Sequence, residues 1–166
     1  MRNKLILLSA ILALAATAAA QTKTSGTISC GKPEPMHSID VGDRAGHSLS
    51  IMKFACKWTK TLETGGQEAK DGYDVAYGDA SGDKVRVSGY HVSNMSGGDK
   101  IYVRFQGTDT MKDGKLVSSE GTWSYTGGTG KLKGIKGKGT YKGTMDADGN
   151  TVSDVEGTYE MPAAKK

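Results

Sequence analysis

Past its first twenty residues, this chain alternates apolar and polar side chains almost one by one. Met52, Phe54, Cys56 and Trp58 fall on one face of an extended segment, with Lys53, Ala55 and Lys57 on the other. Ile101, Val103, Phe105 and Gly107 alternate in the same way with Tyr102, Arg104, Gln106 and Thr108. Gly121, Trp123 and Tyr125 share a face, as do Gly139, Tyr141, Gly143 and Met145, and then Val155, Gly157, Tyr159 and Met161. Successive side chains of a strand point to opposite faces, so each segment reads as a half-apolar β-strand. The intervals 79–82, 96–99, 112–115 and 146–150 carry Asp-Gly, Gly-Gly and related turn formers. Such pairs supply the positive φ angles that short hairpin loops demand.

The pattern predicts strands near 24–31, 47–60, 67–78, 84–94, 99–110, 115–126, 136–146 and 151–161. Eight short strands with no helix to cover a sheet predict an all-β fold, a single eight-stranded antiparallel meander closed into a barrel, because closure removes exposed edges. Gly-Thr-aromatic recurs at 121–123, 139–141 and 157–159, each copy eighteen residues after the last. An even spacing keeps every copy in the same phase of its strand, as successive strands of one sheet require. Segment 33–46 stands apart, because Pro33, Pro35, Gly42 and Gly46 break any strand. It is expected to be a long loop across one mouth of the barrel, and with His37, Asp40, Asp43 and Arg44 it is a candidate functional loop.

The N-terminus changes the compartment. Arg2 and Lys4 precede an apolar run over 5–16 broken only by Ser9, and Ala18, Ala19 and Ala20 follow. This is the pattern of a signal peptide helix over 1–20, leaving 21–166 as one domain in an exported protein, periplasmic or secreted. The run is short for a membrane span, so an integral membrane protein is not expected. Without Arg2 and Lys4 the 22 basic residues fall to 20 against 18 acidic ones, a net charge of +2. Lys131, Lys133, Lys136, Lys138 and Lys142 form the one basic cluster, which reads as a solvated loop and strand edge, and no nucleic-acid partner is expected. Cys30 and Cys56 are the only cysteines. An even count in an exported chain, with no metal-ligand spacing, reads as a disulfide; two unpaired thiols are the alternative.

Motifs for common chemistries fail on spacing. Gly130-Lys131 is followed by Leu132 where a phosphate loop has Ser or Thr. Lys133 occupies the third glycine place of a dinucleotide fingerprint begun at Gly128 and Gly130. Asp146, Asp148 and Asn150 open like a calcium loop, but Thr151 and Gly157 stand where its glycine and glutamate belong. His37, His47 and His91 lack metal-ligand spacing, and no Gly-x-Ser-x-Gly elbow offers a serine nucleophile. No cofactor and no metal site is expected.

The segment Tyr125-Thr126-Gly127-Gly128-Thr129-Gly130-Lys131-Leu132-Lys133-Gly134-Ile135-Lys136-Gly137 resembles a glycine-rich stretch of dirigent proteins and the related loop of allene oxide cyclases, with Leu132 where those proteins commonly have phenylalanine. The mature chain also resembles a group of small exported bacterial proteins that share the run Cys56-Lys57-Trp58-Thr59. The resemblance implies an eight-stranded antiparallel barrel with a central cavity, often a homotrimer, that in plants holds a reactive small molecule in one conformation. No catalytic position is carried over.

Two faces compete for the barrel interior. Trp58, Trp123 and Tyr141, with Phe105 and Tyr159, would line a greasy pocket if they point inward, which is the expectation for a monomer. Arg86, Arg104, Glu120 and Tyr90 form the opposite, polar face, which would hold an acidic ligand if it lined the cavity. The leading expectation is a non-catalytic exported barrel that binds a small hydrophobic or aromatic molecule, with Trp58, Tyr90, Arg86, Arg104, Glu120, Trp123 and Tyr141 as candidate ligand residues. The alternatives are a cyclase-like isomerase steering a reactive intermediate, and a structural or interaction protein with a filled barrel.

Overall fold

A computed structural model describes residues 21–162, so the expected signal helix over 1–20 lies outside the described residues. Ten strands follow in chain order: β1 (Thr22–Cys30), β2 (Met36–Asp40), β3 (His47–Lys60), β4 (Glu63–Thr64), β5 (Gln67–Ser81), β6 (Lys84–Met95), β7 (Lys100–Lys112), β8 (Lys115–Gly128), β9 (Lys136–Met145) and β10 (Thr151–Glu160). Eight of them close a ring of antiparallel neighbours in the order β1, β10, β9, β8, β7, β6, β5, β3 and back to β1. These eight are the expected strands, and the ring is the expected barrel.

The expectation for 33–46 needs correction, because Met36–Asp40 is a strand. Pro33 and Pro35 do interrupt the chain, but only at the junction between β1 and β2. Both strands run along the same edge of β3, joined by Gly31 N–H to the Ala55 carbonyl (2.9 Å) and Glu34 N–H to the Lys53 carbonyl (2.7 Å). Residues 36–40 contain no breaker, and a strand paired on one edge alone tolerates prolines beside it. The segment therefore lengthens the wall beside β3 instead of crossing the mouth as an open loop.

Cys30 and Cys56 face each other across β1 and β3 and are joined in a disulfide. With Ile28 they form a buried cluster that Phe54, Trp58 and Val155 pack against. Register shifts at Thr27/Ile28, Ala69/Asp71 and Tyr102/Val103 mark bulges, which strengthen local twist and help the sheet curl.

One end of the barrel is stoppered by the glycine-rich segment. A single turn of 3-10 helix (Gly130–Leu132) drives Leu132 into a fully buried position among Leu62, Ala69, Met95 and Ile101. Gly130 has φ 49°, in the left-handed region, and the Asp99 carboxylate occupies the space a Cβ would need. That carboxylate accepts from Gln67 Nε2 (2.7 Å) and from the Lys131 backbone N–H (3.1 Å). An amide that a phosphate loop would offer to a ligand is thus already bonded within the fold. The glycine-rich pattern serves a plug.

Candidate functional site

Above this plug the barrel encloses a cavity of about 460 Å3. Its shape follows from which residues stand opposite one another. Trp123 on β8 pairs with Gly139 on β9, Tyr141 on β9 with Gly121 on β8, Phe105 on β7 with Gly89 on β6, and Tyr159 on β10 with Gly137 on β9. Each of these four aromatics faces a glycine across its strand pair; the rings of Trp123, Tyr141 and Phe105 lie over the space a side chain would have filled, and over Gly137 it is the Tyr125 ring that does so. A Cβ on Gly139 would stand 2.7 Å from Trp123 Cε2, and one on Gly157 would stand 2.5 Å from Trp123 Cζ2. A Cβ on Gly121 would stand 2.7 Å from Tyr141 Cε1. The Trp123 indole N–H donates to the Thr140 and Glu156 carbonyls, both at 3.2 Å, which holds the ring flat against β9 and β10. Rings laid on the wall leave the axis open. The repeat of Gly-Thr-aromatic at eighteen residues is the device that makes this wall.

The mouth is lined by Met36, Met52, Met111 and Met145, with Met36 and Met52 opposite one another across β2 and β3. Unbranched thioether side chains adapt to ligands of different outline. Lys32 is the only lysine or arginine among the lining residues.

Besides scattered serines, Thr151 and Lys32, two polar clusters stand in the apolar lining. In the first, Asp74 Oδ1 accepts from His91 Nδ1 at 2.6 Å, His91 Nε2 meets Ser93 Oγ at 2.9 Å, and the Trp58 indole N–H donates to that same Oγ at 2.9 Å. With Nδ1 carrying the proton toward Asp74, Nε2 accepts from the Ser93 hydroxyl. The connectivity is that of a serine–histidine–aspartate relay, but the Ser93 oxygen already accepts a hydrogen bond from Trp58. Every member is satisfied, and the chain orients Trp58 on the cavity wall. His91 and Trp58 meet edge-to-face at 6.2 Å between ring centroids.

In the second group, Asp109 and Ser119 face each other across β7 and β8, one inward position in from Met111. The Tyr141 ring reaches across Gly121 to Gly107, bringing its hydroxyl to β7 two residues from Asp109. Asp109 Oδ1 and Tyr141 Oη are both buried and meet no partner at hydrogen-bonding geometry among the described residues. Burial pushes the Asp109 carboxyl above the usual carboxylate range, opposed by the Ser119 hydroxyl beside it. Burial also raises the Tyr141 phenol, the Asp109 charge adds to the shift, and Ser119 opposes it. Tyr125, nearer the plug, is pushed up to about 12 by burial, against a hydrogen bond with Thr64 at 3.1 Å.

Among the residues singled out from sequence, Trp58, Trp123 and Tyr141 line the cavity. Arg86, Arg104, Glu120 and Tyr90 lie on the outer face, Tyr90 at 56% exposure. Arg86 and Glu120 flank Thr108 from its two sides in the sheet, and no ion pair joins either arginine to Glu120 among the described residues. Arg104 borders a shallow outer groove with Lys138, Thr122, Thr140 and Thr158. Asp74, His91, Ser93, Asp109 and Ser119 were not singled out for the cavity. A signal was present for Asp109, which continues the inward phase of Ile101, Val103, Phe105 and Gly107 as a carboxylate on an apolar face.

No family model and no curated protein matches this chain. Among solved structures the barrel is similar to the pterocarpan synthase dirigent protein GePTS1, at 14% identity over 86% of this chain and 92% of that one, with a TM-score of 0.48. It is similar to the pterocarpan synthase dirigent protein PsPTS1 at 13% identity, over 86% of this chain and 96% of that one, with a TM-score of 0.46. It is also similar to the conserved protein of unknown function RPA1785 from Rhodopseudomonas palustris, at 12% identity over 85% of this chain and 99% of that one, with a TM-score of 0.48. At these identities and scores, no activity passes from them to this chain.

Proposed function

We propose that this protein is an exported barrel that binds a small, largely apolar molecule in its central cavity without transforming it. The observation that carries the reading is the cavity of about 460 Å3, lined by Trp58, Trp123, Tyr141 and a methionine mouth. That volume falls in the range of about 300–1,000 Å3 typical of small-molecule sites. A barrel serving only as a structural body has no use for a glycine-for-aromatic wall that keeps its axis open, which weighs against the filled-core alternative. The disulfide between Cys30 and Cys56 fits an oxidising compartment, in keeping with export.

A second reading has one observation in its favour. Asp109 is a cavity carboxyl with a raised proton affinity, the kind of group a cyclase-like isomerase would use as acid or base. Arg104, Glu120 and Tyr90, on the outer face, have no part in such a mechanism.

The test is native mass spectrometry of the mature protein taken gently from its own compartment, beside a denatured run. Binding predicts an adduct of a few hundred daltons that is lost on denaturation, and a ligand recovered in an altered covalent form would favour the isomerase. A bare mass in several growth conditions would sink the binding reading. The same spectrum reads the subunit count, which bears on self-association through the exposed Ile51, Tyr73, Val75 and Tyr77 of the outer face.

A further inference from the structure

The cavity is apolar enough to take many skeletons, but its two orphaned polar atoms ask for one particular group. We propose that the cavity seats its ligand through a single uncharged oxygen, a ketone or an alcohol, held between Asp109 Oδ1 and Tyr141 Oη, and that it disfavours carboxylate ligands. This rests on the apolar-ligand reading above and adds to it the chemistry that is recognised.

The argument begins with unmet hydrogen-bonding capacity. A buried polar atom left without a partner costs more than an ordinary hydrogen bond contributes, and native proteins leave few of them. Among the described residues only two buried side-chain oxygens are left so, and both line the same cavity. They also converge. Tyr141 crosses two strands over Gly121 and Gly107, and its hydroxyl arrives at β7 two residues from Asp109. A Cβ at either glycine would collide with that hydroxyl, so the placement is built into the backbone.

One ligand oxygen answers both atoms. The Tyr141 O–H donates to it, and Asp109 either accepts from an alcohol O–H or, protonated, donates to a ketone. The Ser119 hydroxyl, directly across from Asp109, completes the polar spot. A carboxylate fares worse there. Asp109 and Asp74 already line the cavity, and Lys32, the only lysine or arginine among the lining residues, stands by Gly149 in the 146–150 turn, with its Cε 3.2 Å from where a Gly149 Cβ would be. The methionine mouth tolerates variation in the skeleton, so selectivity falls to the oxygen.

The test is competition for the cavity of the mature protein against the neutral fluorescent probe N-phenyl-1-naphthylamine at neutral pH. The competitors share a skeleton: undecane, undecan-2-one, undecan-2-ol and undecanoate. The ketone or the alcohol is expected to bind about tenfold or more tighter than undecane and undecanoate. A tighter alcohol marks Asp109 as the acceptor, and a tighter ketone marks it as a donor. In Tyr141→Phe, which removes only the hydroxyl, and in the Asp109→Leu/Tyr141→Phe double variant, that preference should shrink to about twofold or less while undecane binding persists. Equal affinities across the series overturn the proposal while leaving the apolar cavity standing. Undecanoate as the tightest ligand also overturns it and points to Lys32. Failure of the probe and of undecane to bind at all removes the apolar-ligand reading, and this inference with it.

Discussion

Replacing Gly139 with alanine should damage this protein far more than a single methyl group suggests. The added Cβ would stand 2.7 Å from Trp123 Cε2 and 2.7 Å from Gly157 Cα, and it would fall on the Glu156 carbonyl. Ordinary carbon contacts lie at about 3.5–4.0 Å, so each neighbour must retreat by roughly 1 Å. Trp123 cannot retreat freely, because its indole N–H is bonded to the Thr140 and Glu156 carbonyls. Overpacking of a filled site costs about 1–3 kcal/mol, and loss of the shared indole hydrogen bond adds about 1 kcal/mol. A loss of about 3 kcal/mol is expected, equivalent to a fall in Tm of about 10 °C for a domain of this size. Gly31→Ala is the control, since its nearest neighbour would be the Ala55 carbonyl oxygen at 3.8 Å, and its stability should change by less than about 1 kcal/mol. Urea denaturation followed by far-UV circular dichroism measures both, and near-UV circular dichroism reports whether the indole has moved. A Gly139→Ala variant within about 1 kcal/mol of wild type would refute the account of the wall given above.

Three further outcomes follow from named contacts. Cys30→Ala/Cys56→Ala should lose about 3 kcal/mol in urea denaturation, because the bridge closes a loop of 26 residues, and a reductant should have no further effect on that variant. Trp58→Phe removes the N–H that donates to Ser93 Oγ at 2.9 Å and should cost about 1–2 kcal/mol, whereas an unchanged stability would mean that the relay does not hold the ring. Asp109 should give the protein a pH dependence of unusual sign for a carboxylate. Its folded affinity for protons is raised by burial, opposed by the Ser119 hydroxyl and with the Tyr141 phenol nearby, so its contribution is most favourable below about pH 4 and is lost as pH rises through its folded pKa. Asp43, Asp99 and Asp146 act in the opposite direction: hydrogen bonds from His47, Gln67 and Asn150 respectively lead in holding them low, and their contribution fades as pH falls through their folded pKa values. The difference in stability between wild type and Asp109→Asn isolates the first effect, and it should widen in favour of the variant as pH rises above about 4. A difference that stays flat with pH would show that Asp109 is not a buried acid.

Strands, turns and the closed barrel were legible in this chain because they depend on local alternation and on glycine-bearing turns, both of which are properties of neighbours in sequence. The cysteine pairing was legible from the even count together with the expectation of export. Residues 36–40 were misread because prolines were weighed without knowing that the segment needs only one hydrogen-bonded edge, that of β3. Alternation divides every strand into two faces but does not say which face the barrel encloses. On β5 the inner face carries Gly72, Asp74, Ala76 and Gly78, while Tyr73, Val75 and Tyr77 are exposed, the reverse of what side-chain size suggests. The Gly-Thr-aromatic repeat announced a sheet, but its purpose appears only when Trp123 is laid over Gly139 and Gly157, and Tyr141 over Gly121 and Gly107. The site has the same origin. Asp109 and Tyr141 are 32 positions apart in the chain and come to one part of the cavity because the Tyr141 ring crosses β8 at Gly121 and ends at Gly107 of β7, the strand that carries Asp109. Register between strands is set by packing across the whole barrel, so the sequence determined the strands and their turns, while only tertiary closure decided which side chains share the cavity.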